Sequence, residues 1–224
     1  MNSPQRACTL DREMLIRAHA NFLLYLPDHC EGNRDKIWPC ILFLHGAGER
    51  GEDLGLVKRH GLPRLIEEGH RFPFVVVSPQ CPQDTWWRME VLDVLLQDIL
   101  ARHPVDPARV YVTGLSMGGY GTWALALQYP GRFAAIAPVC GGGNPLRAHE
   151  IAHIPAWVFH GAKDDVVPLR ESEKMVDSLN ACGGNVRFTV YPDAAHDSWT
   201  EAYNNPELYE WLLQHRRSDS RTRT

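Results

Sequence analysis

The fold of this protein is decided by one stretch, VYVTGLSMGGYGTW at residues 110 to 123. It begins as an apolar strand, passes through a Gly-x-Ser-x-Gly turn centred on Ser116, and continues with Tyr120 and Trp123 at helical spacing. A sharp strand-to-helix turn strains the residue at its apex, and a glycine two residues away on either side relieves the crowding. The stretch therefore predicts a nucleophile elbow with its serine at a helix N-terminus, where the helix dipole favours developing negative charge. A glycine-rich turn that serves only strand–helix packing is the alternative.

Short apolar runs and longer amphipathic stretches alternate on both sides of this turn. The apolar runs cover residues 41–44, 74–77, 110–112, 133–139 and 156–159. Continuous apolar runs of this length are typical of parallel strands that are buried on both faces. A further strand is expected at 186–191, and an antiparallel edge strand at 21–26. Apolar residues at helical spacing predict helices over 92–100, 120–127, 175–179 and 208–212. The fold class is therefore α/β, with a mostly parallel central sheet and helices on both faces.

Length and composition indicate one globular domain. The chain has 224 residues, of which 44% are hydrophobic and 22% charged, so a substantial core is available. No repeat, linker or change of composition divides it. We expect a partly ordered N-terminal segment at 1–18, a single domain at 19–215 and a flexible tail at 216–224. The tail holds a basic cluster of Arg216, Arg217, Arg221 and Arg223, which is expected to fray in solvent.

Charge and hydropathy exclude several classes of partner. The formal net charge of −4 argues against a surface for nucleic acid or anionic membrane. No apolar run approaches the roughly 20 residues that a transmembrane helix needs. The first ten residues are polar and unlike a secretory signal, and the six cysteines show neither a CxxC pair nor zinc spacing. We therefore expect a cytoplasmic protein with reduced thiols, no membrane span and no resident metal.

A second motif, HGAGERG at residues 45 to 51, directly follows an apolar run. Acyl transfer needs two backbone N–H donors that point at the developing oxyanion, one after the nucleophile and one from the loop after an earlier strand. Met117 supplies the first. Ala47 is the best candidate for the second, because the small residues around it allow close approach of the backbone. His45 is expected to be a scaffold residue that is hydrogen-bonded within the loop.

Two further motifs offer an acid and a base, HGAKDDVVP at 160 to 168 and AHDSW at 195 to 199. A serine hydroxyl becomes a good nucleophile when a histidine takes its proton, and a carboxylate fixes the tautomer of that histidine. The chain order is Ser116, then Asp164 or Asp165, then His196, as in α/β-hydrolases. Each candidate follows a predicted strand, so all are expected at the carboxyl edge of one sheet, where ligands bind in such folds.

Together these motifs resemble those of compact serine esterases of the α/β-hydrolase superfamily. WPCILFLHGAGERG, VVVSPQCP, GLSMGGYGTW, FHGAKDDVVP and AHDSW are similar to segments of the predicted-peptidase, phospholipase/carboxylesterase and polyhydroxybutyrate-depolymerase-like groups. The resemblance implies Ser116 as nucleophile, Asp164 as acid and His196 as base, with the N–H groups of Ala47 and Met117 as oxyanion hole. A serine stands where the related dienelactone hydrolases carry cysteine, which argues against their chemistry here.

The surroundings of the site are expected to be open. Only 15 residues, 141–155, follow the strand after the nucleophile helix, which is too short for a large cap domain. Four aromatic residues lie near the motifs and are interpreted either as packing residues or as contacts for a planar substrate group, namely Trp86, Trp87, Tyr120 and Trp199.

Glu49 and Arg50 are expected to pair with each other, with contact to substrate as the alternative. No phosphate loop or dinucleotide fingerprint is present, and the mechanism requires no cofactor.

The leading hypothesis is hydrolysis of carboxylic esters, short-chain or small aromatic, through an acyl-serine intermediate. Its expected partner is a small-molecule ester. A serine peptidase, and a thioesterase or lysophospholipase, use the same triad, and the sequence does not separate them from an esterase. A non-catalytic ligand-binding protein on a hydrolase scaffold is the alternative from another class, and a broken triad or oxyanion loop would favour it.

Overall fold

The computed structural model describes residues 8–12, 15, 17–28, 30 and 36–218. Within these ranges seven strands form one sheet, with the spatial order β1-β3-β2-β4-β5-β6-β7. The strands are β1 (Phe22–Tyr25), β2 (Trp38–Leu44), β3 (Val75–Pro79), β4 (Val105–Leu115), β5 (Ala135–Val139), β6 (Ala156–Gly161) and β7 (Val186–Tyr191). All neighbours pair in parallel except β1, which runs antiparallel to β3 at the edge. The predicted mostly parallel sheet, with its antiparallel edge strand, is confirmed.

Helices cover both faces of this sheet. They are α1 (Gly61–Glu67), α2 (Met89–Arg102), α3 (Met117–Gln128), α4 (Arg170–Ala181), α5 (Trp199–Asn204) and α6 (Pro206–Gln214). One buried cluster contains side chains of α2, α3 and α4, among them Leu92, Trp123 and Met175. A second cluster contains side chains of α1, α5 and α6, among them Tyr203 and Leu208. The sheet therefore separates two apolar layers, as the unbroken burial of β2 and β5 requires.

Two details differ from the sequence-based expectation. Strand β4 begins at Val105 and not at residue 110, because Trp38 of β2 pairs with Val105 before the register shifts between Trp38 and Cys40. Helices α1 and α5 were not expected, since each has fewer than eight residues and shows less than two full turns of apolar periodicity. The sharp entry into α1 depends on Gly61, whose φ of +61° is in the left-handed region.

Among the residues that the structure describes, no large insertion covers the carboxyl edge of the sheet. Between β5 and β6 the chain forms a loop and one 3₁₀ helix, Pro145–Ile151, whose entry is capped by the side chain of Asn144. The expectation that a large cap domain is absent is therefore confirmed. This leaves the ends of β4, β6 and β7 accessible from solvent.

Residues near the C-terminus contact the domain. Arg216 Nη1 lies 2.7 Å from the carboxylate of Asp106, and the N–H of Arg217 donates to the carbonyl of Ala108 at 2.8 Å. These two residues belong to the segment that was expected to be a flexible tail. The rest of that segment from residue 219, with Arg221 and Arg223, lies outside the described residues, as do residues 1–7 of the expected N-terminal segment. No helix in the described part of the chain is long and apolar enough to cross a membrane, and the cytoplasmic location stays a prediction.

Candidate active site

Ser116 stands at the turn between β4 and α3 in a strained backbone conformation. Its φ of 52° and ψ of −116° are unusual for a residue that carries a Cβ. The glycines on either side permit this turn, because a Cβ at Gly114 would overlap the carbonyl of Gly118, and a Cβ at Gly118 would overlap the carbonyl of Leu44. The N–H of Ser116 donates to Val139 at 3.0 Å, which ties the turn to the end of β5. The predicted elbow geometry is present.

His196 reaches Ser116 from the loop that follows β7. It opens the 3₁₀ helix His196–Ser198, and its Nε2 lies 2.9 Å from Ser116 Oγ. Its Nδ1 lies 2.8 Å from Asp164 Oδ2. A carboxylate only accepts hydrogen bonds, so Nδ1 carries the proton and Nε2 is free to accept the serine proton. The structure thus brings together three residues that are up to 80 positions apart in the sequence.

Asp164 is the carboxylate that the structure selects from the two adjacent candidates. Its side chain is fully buried in the loop after β6. Its Oδ1 accepts hydrogen bonds from the N–H groups of Val166 at 3.0 Å and Val167 at 2.8 Å. These bonds orient the carboxylate so that Oδ2 faces His196. Asp165 is exposed, because neighbouring residues in this tight turn point in different directions.

The two residues predicted for the oxyanion hole, Ala47 and Met117, each begin a helix, and the loop that carries Ala47 is held by hydrogen bonds on two sides. Ala47 is exposed and begins the 3₁₀ helix Ala47–Glu49, while Met117 begins α3. The first N–H groups of a helix have no carbonyl partner within it and are available to a ligand. Arg50 donates to the carbonyl of Ala47 at 2.9 Å and to that of Thr85 at 3.2 Å. Gln80 donates to the carbonyl of Glu49 at 2.9 Å.

His45 is a scaffold residue, as expected. Its Nδ1 lies 2.6 Å from the carbonyl of Gly46, and its Nε2 accepts a hydrogen bond from the N–H of Cys81 at 2.9 Å. Burial lowers the pKa of His45 from 6.5 to about 4, although the hydrogen bond to Gly46 acts in the opposite direction. The ring is therefore neutral at physiological pH, and it joins the end of β2 to the end of β3.

The prediction that Glu49 and Arg50 pair with each other is wrong. The guanidinium of Arg50 binds main-chain carbonyls. The carboxylate of Glu49 is buried and faces two histidine rings instead. Glu49 Oε1 lies 3.7 Å from Nε2 of His60, and Oε2 lies 4.0 Å from Nδ1 of His45. Adjacent residues at this 3₁₀ turn project to opposite sides of the loop, which sequence adjacency conceals.

The four aromatic candidates occupy different environments. Trp86 is 63% exposed, and its ring meets that of the half-buried Tyr120 edge-on at 6.3 Å. Trp199 packs edge-on against His196, with ring centres 5.1 Å apart. Trp87 is buried instead, with its ring 4.7 Å from that of His45. Its burial favours the interpretation of Trp87 as a packing residue.

One group of potential metal ligands lies at the site itself. Cys140, Asp164 and His196 place their ligand atoms within 4.8 Å of one another. Burial raises the pKa of the Cys140 thiol to about 12, so the thiol keeps its proton. Asp164 and His196 are hydrogen-bonded to each other in this arrangement, with the buried thiol of Cys140 beside them.

His160 belongs to the HGAKDDVVP motif, but no role was predicted for it from the sequence. The structure places it fully buried at the end of β6, with its Nε2 3.2 Å from Asp164 Oδ2. Arg50 was likewise not recognised as a brace of the loop at Ala47. The available signal for His160 was a polar side chain that ends an otherwise apolar strand, since such a residue needs buried hydrogen-bond partners.

Comparison with known proteins places the chain in a family. The family model described as the dienelactone hydrolase family matches residues 84–209, more than half of the chain and including Ser116, Asp164 and His196. The chain belongs to the dienelactone hydrolase family. Its elbow residue is Ser116, at the position where the sequence-based resemblance implied a cysteine in dienelactone hydrolases. Family membership confirms the expectation of a carboxylic-ester hydrolase.

Individual relatives of this dienelactone hydrolase family member are named as esterases or depolymerases. The chain is 26% identical to the poly(3-hydroxyoctanoate) depolymerase of Pseudomonas fluorescens, over 80% of this chain and 74% of that protein. It is 28% identical to a bifunctional acetylxylan esterase/xylanase of Neocallimastix patriciarum, over 84% of this chain and 27% of that protein. A solved thermostable esterase is 35% identical, with a TM-score of 0.76 over 88% of this chain and 59% of that one. The resemblance to α/β-hydrolase esterases and depolymerases is thereby confirmed.

Proposed function

We propose that this protein hydrolyses small carboxylic esters through an acyl intermediate on Ser116, with His196 as general base and acid and Asp164 as its orienting carboxylate. The observation that carries the proposal is the continuous hydrogen-bonded line from Ser116 Oγ through the His196 ring to Asp164, at distances of 2.9 Å and 2.8 Å. Such a line, at the open carboxyl edge of the sheet, has the geometry of nucleophilic acyl transfer.

The first half-reaction forms the acyl-enzyme. His196 Nε2 takes the proton of Ser116 as Oγ bonds to the ester carbonyl carbon, and the carbonyl π electrons move to the oxygen. The N–H groups of Ala47 and Met117 donate to this oxyanion. When the oxyanion collapses, the bond to the alcohol oxygen breaks, and His196 gives that oxygen the proton it had taken. The alcohol leaves and the acyl group stays on Ser116.

The second half-reaction uses water in place of the serine. His196 removes a proton from a water molecule whose oxygen attacks the acyl carbon, and the same two N–H groups bind the new oxyanion. Collapse breaks the bond to Ser116 Oγ, and His196 returns the proton to that oxygen. The products are a carboxylic acid and the free enzyme. Asp164 accepts the hydrogen bond from His196 Nδ1–H and holds the ring in place throughout.

The substrate class follows from the shape of the site. Because no large cap covers the carboxyl edge, the site offers little enclosure to a long acyl chain. The exposed edge formed by Trp86 and Tyr120, with ring centres 6.3 Å apart, offers an apolar contact to a small or planar acyl group. A relative named as a bifunctional acetylxylan esterase/xylanase supports a short acyl group. We therefore propose short-chain and small aromatic esters.

The test compares nitrophenyl esters of acetate, butyrate and benzoate with the matching nitroanilides, which differ only in the leaving group. We expect hydrolysis of the esters, much slower cleavage of the amides, and none by Ser116→Ala. A fluorophosphonate probe should label the wild type at Ser116. Unchanged circular dichroism and Tm in Ser116→Ala control for folding. Labelling that persists in the variant, or amide cleavage as fast as ester cleavage, would overturn the proposal.

A further inference from the structure

His160 is a second buried histidine beside the candidate triad, and the mechanism above does not use it. It is the penultimate residue of β6, four residues before Asp164, and its side chain has no exposed surface. We propose that His160 is a positioning residue, which holds the carboxylate of Asp164 in the orientation that His196 requires. The kinetic test of this role rests on the proposed function. The role itself is argued from the geometry around Asp164.

The Nε2 atom of His160 faces two acceptors. The carbonyl oxygen of Val167 lies 2.9 Å from it, and Asp164 Oδ2 lies 3.2 Å from it. A bare nitrogen would direct its lone pair at a carbonyl and a carboxylate, with repulsion in a site from which water is excluded. Nε2 therefore carries hydrogen, donates to Val167, and places the positive end of the N–H bond beside the carboxylate.

The other ring nitrogen is held by Ser172, a fully buried residue of α4. Its Oγ lies 2.7 Å from His160 Nδ1 and 3.2 Å from the carbonyl of Gly141. In the neutral ring the hydroxyl donates to Nδ1, which fixes the tautomer with hydrogen on Nε2. In the protonated ring the hydroxyl accepts from Nδ1 and donates to Gly141. Both states keep the hydrogen on Nε2, so the contact toward Asp164 persists.

The ring acts on Asp164 through Val167. His160 holds the carbonyl of Val167, and the N–H of Val167 donates to Asp164 Oδ1 at 2.8 Å. The carboxylate is thus gripped at Oδ1 by main-chain N–H groups, while Oδ2 lies between the His160 and His196 rings. Without the ring, a buried carbonyl loses its donor and the loop that orients Asp164 loses an anchor. Tyr120 and Cys140 are further titratable groups whose charge interactions involve Asp164.

Two amide substitutions separate this role from a merely structural one. Gln at 160 places its terminal amide near the position of Nε2, toward Val167 and Asp164. Asn is one methylene shorter and places its amide near Nδ1, toward Ser172. Both variants are polar and uncharged and occupy the same buried position. His160→Gln can therefore keep the donor that the proposal requires, while His160→Asn loses it.

Misplacement of a catalytic group by about 1 Å costs about 10²-fold in rate. We expect His160→Asn to lower kcat on nitrophenyl acetate by about 10²-fold with KM within about threefold, because the loss is in the transition state. His160→Gln should stay within about fivefold of the wild-type kcat. The downfield proton resonance of His196 Nδ1–H should persist in the Gln variant and broaden or disappear in the Asn variant. Equal kcat values for the two variants, or an unchanged resonance in both, would overturn the proposal.

Two controls keep the test decisive. The resonance does not depend on turnover, so an inactive wild type would count against the proposed function while positioning is still measured. If neither variant folds, nitrogen-15 spectra of histidine-labelled wild type report the tautomer directly. Hydrogen on His160 Nε2 is expected, and a bare Nε2 would overturn the proposal.

Discussion

The α-carbon of Gly118, in the first turn of α3, lies directly against the carbonyl oxygen of Leu44 at the end of β2. A Cβ built on Gly118 would overlap that oxygen and would lie 2.8 Å from the carbonyl oxygen of His45. This close approach joins the elbow to the loop that carries Ala47. It therefore sets the separation between the two N–H donors that we assign to the oxyanion hole.

Replacing Gly118 by Ala should destabilise the protein by at least about 3 kcal/mol, because the obstructing atoms are main chain and cannot rotate away. Urea unfolding measures the loss. Gly131→Ala is the matched control, since a Cβ there meets nothing within 4 Å, and it should leave the free energy of unfolding within about 0.5 kcal/mol. A similar small effect at both positions would contradict the packing at Gly118.

Asp164→Asn and Asp165→Asn should differ sharply in kcat. The amide at 164 can donate to His196 and favour the wrong tautomer, which in a serine protease lowers kcat by about 10⁴-fold. We expect a loss of about 10² to 10⁴-fold here. Asp165 is exposed, so its variant should stay within about tenfold of wild type. Measuring both on one short ester decides the matter, and a large loss at 165 with little at 164 would reverse the assignment.

Acyl-chain preference should favour short chains. Burial of each CH₂ contributes about 0.8 kcal/mol only where protein surrounds it, and the carboxyl edge carries no large cap. The value of kcat/KM across nitrophenyl esters from C2 to C12 should therefore peak at short chains. A steady rise to the longest chain would reveal an enclosed acyl tunnel that the structure does not show.

Trp86→Ala should weaken the hydrolysis of a benzoate ester more than that of an acetate ester. The exposed Trp86 ring stands edge-on to Tyr120, and an aromatic contact contributes about 0.5–1.5 kcal/mol, or about 2- to 10-fold. The ratio of kcat/KM values for the two esters measures this effect independently of any general loss. An unchanged ratio would place the acyl group away from Trp86.

Acid should destabilise the fold through His45. Burial depresses its pKa from 6.5 to about 4, so the unfolded chain takes up a proton first as pH falls. The stability that the neutral ring provides is complete above pH 6.5 and is lost as pH falls toward 4. Between pH 7 and pH 5 the loss should be about 2 kcal/mol.

Urea unfolding of wild type and His45→Gln at both pH values isolates this contribution. The Gln variant should lose about 2 kcal/mol less stability than wild type over that interval. His70→Gln, a change at an exposed position, should keep the wild-type dependence. Identical pH dependence in wild type and His45→Gln would mean that burial of this ring is not linked to protonation.

Much of the candidate site was predictable, because its candidate residues lie in short sequence motifs. The Gly-x-Ser-x-Gly turn needs its glycines within four residues of one another, and Ser116 takes the expected conformation with a φ of 52°. The apolar runs that become β2 and β5 are continuous because both faces of the sheet are covered. Helix α6 contains the predicted 208–212, and the side chain of Asn205 caps its start by accepting from the N–H of Glu207.

The direction of side chains in loops and short helices was not predictable from the sequence. Trp87 lies next to Trp86 in the sequence, and Glu49 next to Arg50, yet the members of each pair face different environments. Direction in a loop or short helix depends on a few dihedral angles, which residue identity constrains only weakly. The choice between a buried ring and an exposed one depends on packing against distant strands.

The sequence by itself determined the fold class, the order of the seven strands along the chain, and the identities of Ser116 and His196 as candidates, because periodicity and turn chemistry are local properties. Only the tertiary structure decided that Asp164 and not Asp165 faces His196, that Arg50 braces the loop at Ala47, and that His160 stands behind the carboxylate. Each of these depends on a contact between side chains and loops that parallel strands bring to one edge of the sheet. Such contacts are fixed by the register and packing of the whole domain, which no short stretch of sequence contains.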